Sequence, residues 1–184
     1  MIIIGTLGLV SDELDVHYLV KRIGCHGGGK SDLRLVLAVA VLWVALDLGS
    51  KMAVMRSLVE GQAIPVVDGL LTLHYVRNPG AAYGILFGQR WLLAILAAGI
   101  CVGILWYARR VTAVRERIAL GMLLGGAVGN MHNRLVWGAV TDMIEINPLT
   151  VVFRVFNVAD VAITFGVLLL AWSMLRGPRP QGEG

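Results

Sequence analysis

The chain reads as an all-α membrane protein: four transmembrane helices carrying a small β-ribbon on the outer side. Three observations predict this class. Hydrophobic residues make up 57% of the chain and charged residues only 15%, where a soluble domain is nearer a quarter charged. Four apolar stretches stand out, Leu33–Leu48, Trp91–Tyr107, Ile118–Gly129 and Val158–Leu175. The arginines and lysines gather at the ends of those stretches, where membrane proteins keep them. A soluble bundle is excluded, because four such helices would leave too little polar surface to cover them.

The chain opens with "MIIIGTLGLV", which at ten residues is too short to span. Residues 1–31 read as an N-terminal extension of linker character. His17 and His26 are too isolated to form a metal site. Cys25 follows "KRIG", and Lys21 and Arg22 occupy the place where a lipid-attachment site needs an apolar run. Cys101 lies inside an apolar stretch and reads as packing. Two cysteines make no disulfide framework.

Residues 32–176 form the membrane domain, and 177–184 a tail. A hydrocarbon core of roughly 30 Å takes about 20 helical residues. The four runs are shorter, so their polar ends dip into the membrane or the bilayer thins locally. Lys21, Arg22, Lys30 and Arg34 precede or open the first span. Arg109, Arg110, Arg115 and Arg117 fill the loop between the second and third. Arg176 and Arg179 follow the fourth. These are ten of the sixteen basic residues, so this side is cytoplasmic and both termini lie on it.

Two segments face outward, about Gly49–Arg90 and Asn133–Asn157. In "LLTLHYVR", Leu71, Leu73 and Tyr75 alternate with Thr72, His74 and Val76. With "IPVV" and "DG" before it, this reads as strand, turn and strand, with His74 a solvated strand position. The net charge of +4 comes with no basic stripe interleaved with aromatics, so a nucleic-acid partner is excluded. A transporter would show inverted repeats or broken mid-membrane helices, and neither is present.

Helix rise serves as a depth ruler. Sixteen residues separate Arg117 from Asn133, and sixteen separate Asp160 from Arg176, about 24 Å of helix in each case. Positions 133 and 160 therefore lie at one depth, a few Å below the outer surface. An acid at membrane depth is costly and marks a functional site. Asp160 also suits a structural role, a carboxylate at the positive end of a helix dipole. With an aspartate at 133 the two would form a dyad sharing one proton.

Four motifs give the chain a family resemblance: "DLGSK" (Asp47–Lys51), "NPGAAY" (Asn78–Tyr83), "GGAVGNMHNR" (Gly125–Arg134) and "FNVADVAITFG" (Phe156–Gly166). They resemble the D-x-x-S-K, N-x-G-A-A-F, G-G-A-x-G-N-x-x-D-R and F-N-x-A-D-x-x-I-x-x-G segments of the lipoprotein signal peptidases, or signal peptidase II. "VTDMI" (Val140–Ile144) resembles a further V-V-D-F-I. The resemblance implies an intramembrane aspartic endopeptidase of the bacterial inner membrane with its active site near the outer face. It would cut diacylglyceryl-modified prolipoproteins just before the lipidated cysteine. It implies no metal or organic cofactor, contact with membrane lipid, and inhibition by globomycin-like peptides.

Carried onto this chain, the resemblance makes Asp160 one catalytic acid and position 133 the other, where Asn133 cannot ionise. The chain as written is then expected to fold and bind but not cleave. A deliberate inactivating replacement explains this better than a natural pseudoenzyme, since the other motifs are intact. The alternative is a non-catalytic membrane protein that binds lipidated peptides. Asp142 matches a separate family aspartate and is the less favoured second acid. His132 points away from the site.

Asn78 and Gly80 belong to the expected substrate site. Asn130 and Asn157 each precede a dyad position by one helical turn. They hold substrate or the acids, or they satisfy backbone at helix ends. Arg134 pairs with phosphate or substrate carbonyls, or it snorkels. Asp47 and Lys51 pair across a turn as support. Gly125, Gly126 and Gly129 permit close helix packing.

Overall fold

The computed structural model describes residues 33–81, 85–147 and 155–175. The expected extension 1–31 and tail 177–184 lie outside these residues, as do Tyr83, Arg176 and Arg179. The elements follow in the order α1 (Arg34–Ser57), β1 (Ala63–Val67), β2 (Leu71–Asn78), α2 (Arg90–Ala108), α3 (Val114–Trp137), β3 (Val140–Ile146) and α4 (Val158–Leu175).

Three of the four helices, α1, α2 and α4, are long and apolar enough to cross a membrane. They leave large apolar side chains such as Val41, Ile95, Val102 and Leu168 on the outside of the bundle, as a lipid-facing surface requires. The helix expected as the third span, α3, does not reach that standard. It opens with Arg115, Glu116 and Arg117 and ends with Asn130, His132, Asn133 and Arg134. It is the shared partner of the bundle, packing against α4, α1 and α2. Its buried polar groups, Asn130 and Asn133 among them, are enclosed by the neighbouring elements.

Small residues bring the helices that close. A Cβ on Gly125 would stand 2.8 Å from the Ala40 carbonyl oxygen of α1, and one on Gly126 would stand 2.5 Å from the Ala159 carbonyl oxygen of α4. Contacts of this kind replace the hydrophobic effect, which gives no drive between helices in lipid. The main core cluster gathers Val36, Ala40, Cys101, Leu120 and Leu124 at the meeting of α1, α2 and α3. α1 continues past the apolar limit at Leu48 because its polar residues are satisfied internally. Ser50 Oγ donates to the Asp47 carbonyl at 2.9 Å, and Lys51 pairs with Asp47 one turn away.

The expected ribbon is present, with one strand more than the alternating pattern revealed. β1, β2 and β3 form an antiparallel sheet in that order. Gly69, with φ +69°, turns β1 into β2. β2 pairs Asn78 with Val140 and Val76 with Asp142 across to β3. His74, expected in solvent, is partly buried and pairs with Glu145 Oε2 of β3 at 2.7 Å. Tyr75 and Met143 pack with Val54 of α1 and with Leu58 just beyond its end in a second small core, which seats the sheet on the end of the bundle.

Candidate active site

The site grows out of two helix ends. At the start of α4 the first N–H groups have no helical partner and must find side-chain acceptors. Asn157 and Asp160 solve this reciprocally. The Asp160 N–H donates to Asn157 Oδ1 at 3.0 Å, and the Asn157 N–H donates to Asp160 Oδ2 at 3.2 Å. This is a capping box with Asp in the place usually taken by Glu or Gln. The Ala159 N–H is met from another helix, by Asp47 Oδ1 of α1 at 2.9 Å.

At the other end of α3, Gly138 adopts φ +78°, and its N–H returns to the Arg134 carbonyl at 3.2 Å. The left-handed residue ends the helix and sends the chain into β3. The strand is pinned at once, because the Thr141 N–H donates to Asn133 Oδ1 at 3.0 Å. Asp142 follows, 3% exposed. Phe156 hydrogen-bonds β3 at Met143 and Ile144, so Asn157 arrives beside Asp142.

One amide then joins the two acids. Asn157 Nδ2 donates to Asp142 Oδ1 at 2.6 Å while its Oδ1 and N–H are engaged by Asp160. Asn130 Nδ2 donates to Asp160 Oδ1 at 2.8 Å. Asn130 Oδ1 accepts from Asn157 Nδ2 at 3.2 Å and from Lys51 Nζ at 2.9 Å. Lys51 Nζ also binds Asp47 Oδ2 at 2.7 Å, both side chains being fully buried. Asn78 Nδ2 donates to Asp142 Oδ2 at 3.1 Å.

Burial pushes the Asp142 carboxyl up to about 7, with the nearby Asp160 charge adding to the rise. Hydrogen bonds from Asn157 and Asn78 and the Lys51 charge pull the other way. Asp142 is therefore the acid that can hold a proton near neutral pH.

The residues singled out in the sequence converge, with one rearrangement. Asp47, Lys51, Asn78, Asn130, Asn157 and Asp160 form one network. Asn78 Oδ1 accepts from the Gly80 N–H, and Arg134 clamps Gly80 from above, donating to its carbonyl at 3.0 Å and to the Asn130 carbonyl at 3.2 Å. Asn133 was expected opposite Asp160. Its oxygen is instead spent on the Thr141 backbone, and its Nδ2 is buried without a partner. The carboxylate joined to Asp160 through Asn157 is Asp142, the less favoured candidate of the sequence. His132 packs edge-on against Trp137, with ring centroids 5.3 Å apart. Thr141 was missed altogether, because its contribution is a backbone N–H.

Fold and site together define a class: a helical membrane protein with two carboxylates, Asp142 and Asp160, joined through Asn157 where its bundle meets its sheet. The comparisons with known proteins narrow it. A family model described as signal peptidase (SPase) II matches residues 39–176. The lipoprotein signal peptidase of Geobacillus thermodenitrificans is 42% identical over 84% of this chain and 97% of its own length. That of Halalkalibacterium halodurans is 40% identical over 77% and 92%. A bacterial membrane enzyme solved by the in meso method superposes with a TM-score of 0.76 at 27% identity, covering 86% of this chain and 98% of the other. The chain belongs to the signal peptidase II family, proteases of lipoprotein processing.

Proposed function

We propose that this chain is an active aspartic endopeptidase that removes the signal peptide from diacylglyceryl-modified prolipoproteins, with Asp142 and Asp160 as its two acids. The observation that carries this reading is Asn157, whose side chain hydrogen-bonds both. Asp142 holds the shared proton and polarises the scissile carbonyl. Asp160 takes a proton from a water, whose oxygen attacks the carbonyl carbon. Collapse of the tetrahedral intermediate breaks the C–N bond as the leaving amine gains a proton from the dyad. Two acids in a poorly hydrated setting suit this exchange, since fixed dipoles act more strongly there.

Asn78, Gly80 and Arg134 present the substrate segment to the dyad, and the unpartnered Arg134 Nε is a donor for a substrate carbonyl. Asn133 is a positioning residue in this reading, and the chain needs no acid there. α3 is the third of four spans, sheltered by the other three. The arginine-rich helix ends and both termini face the cytoplasm, and the dyad lies beneath the outer surface of the bacterial inner membrane. Globomycin-like peptides would compete for the site.

The test is cleavage of a diacylglyceryl-modified prolipoprotein by the purified chain in lipid. Asp142→Asn and Asp160→Asn should each lower kcat by about 100- to 10,000-fold, the range of lost acid–base catalysis, while substrate is still bound. Full activity of a folded Asp142→Asn protein would overturn the assignment. Binding without turnover by the unaltered chain would favour a lipopeptide-binding scaffold.

A further inference from the structure

α1 and α2 both pack on α3 but hardly on each other. A cleft of about 490 Å³ remains between them, with no polar surface in its walls. Its lining includes Leu37, Val41 and Val44 of α1, Cys101 and Leu105 of α2, and Leu124 of α3. The volume lies within the range of small-molecule sites. The cleft is separate from the acid pair, which sits where α1, α3 and α4 meet the sheet.

One end of the cleft is basic. Arg109 stands one helical turn beyond Leu105, on the same side of α2, and Arg34 opens α1 three positions before Leu37. Arg109 and Arg110 are exposed. The Arg110 guanidinium is held 3.7 Å from the centre of the Trp106 ring, which limits the freedom it would lose on binding an anion. The nearby acid, Glu116, is buried and accepts from Ser173 Oγ at 3.1 Å.

We propose that the cleft holds one acyl chain of an anionic glycerophospholipid whose phosphate rests on Arg109 and Arg110. Carbon walls exclude water, and an unfilled cleft forfeits dispersion contacts that a flexible chain would supply. Charge complementarity sets the lipid's direction: its headgroup lies at the arginine end, so it belongs to the leaflet on that side. A lipidated substrate reaching the acid pair would carry its headgroup end at the opposite end of the helices.

The experiment is native mass spectrometry of the full chain released from detergent, titrated with phosphatidylglycerol, phosphatidylcholine or inorganic phosphate. The unaltered chain should retain one phosphatidylglycerol at a concentration roughly thirtyfold below that needed for phosphatidylcholine, the preference expected of two surface arginines. The Arg109→Gln/Arg110→Gln pair should bring the two lipids level. Ala45→Trp, which adds bulk at an exposed lining position, should weaken both. Equal retention of the two lipids by the unaltered chain overturns the proposal. So does an adduct unchanged in either variant, or one that inorganic phosphate removes as readily from Ala45→Trp as from the unaltered chain. Prolipoprotein cleavage does not enter the readout, so failure here and failure of the dyad assignment are distinguishable.

Discussion

Replacing Asn133 separates the two acid pairs that sequence and structure suggest. Asn133 Oδ1 is the acceptor for the Thr141 N–H, and these residues are 0% and 1% exposed. In Asn133→Ala that N–H loses its partner, and a buried donor left unmade costs about 1–3 kcal/mol. A strand that shifts to find another acceptor carries Asp142 with it, and misplacement on the order of 1 Å costs about 100-fold in rate. The expected loss in kcat is therefore about 10- to 100-fold, with KM little changed because Asn78, Gly80 and Arg134 keep their own contacts. Asn133→Asp retains an oxygen at the same place to accept from the Thr141 N–H, so it should stay within about threefold of the unaltered chain. The assay is turnover of a diacylglyceryl-modified prolipoprotein by the three proteins in one lipid at one pH. An inert unaltered chain, with strong cleavage by Asn133→Asp, would refute the reasoning and return the second acid to position 133.

Two further outcomes follow from the same network. With Asp142 raised to about 7 by burial and the Asp160 charge, cleavage should fall as pH rises through that value and the shared proton is lost. Asn78→Ala removes a hydrogen bond that favours the ionised form, so the alkaline limb should move to higher pH. The folded state holds the Asp142 proton more tightly than the unfolded chain, so this group's contribution to stability is complete below the unfolded value of 3.8 and is lost as pH rises toward 7. Lys51→Met leaves Asp47 buried without its cation and should cost about 3–5 kcal/mol, read by thermal unfolding in detergent. The double replacement Asp47→Leu/Lys51→Met should recover part of that loss.

Much of the arrangement is legible in the sequence because it is local. The apolar runs mark the helices, the alternation from Leu71 to Val76 marks β2, and the spacing of Asn157 and Asp160 is that of a helix cap. What is not legible is tertiary. β3 is a short strand whose partner, β2, lies far back in the chain, and only their register brings Asn78 to Asp142. Position 133 drew the role of the acid because it lies level with Asp160 along unbroken helices and matches the aspartate of the resembled G-N-x-x-D-R segment. α3 does run unbroken past it to Trp137, but Gly138 then turns the chain back and Asn133 fastens the returning strand at Thr141, a tertiary contact that local spacing does not encode. The motif "VTDMIEI" is rich in β-branched residues, a strand preference, but its apolar positions do not alternate. It contains nothing that says which carboxylate it will face.

Asp160 first posed a choice between a structural carboxylate at a helix end and a catalytic acid. Under the proposed mechanism one arrangement serves both roles. The buried N–H groups at the start of α4 need side-chain acceptors, and Asp47, Asn157 and Asp160 supply the oxygens. A side chain held in a reciprocal cap has little freedom left, and a fixed carboxylate beside a second acid is what proton exchange with water requires. Asn157 must be an amide for the same two reasons: its oxygen caps Asp160, and its nitrogen reaches Asp142. An aspartate there would still cap the helix but would face Asp142 with another negative charge. The need to begin a helix without water thus selects the residues that orient the acids, and the requirements of folding and of the proposed chemistry fall on the same three side chains.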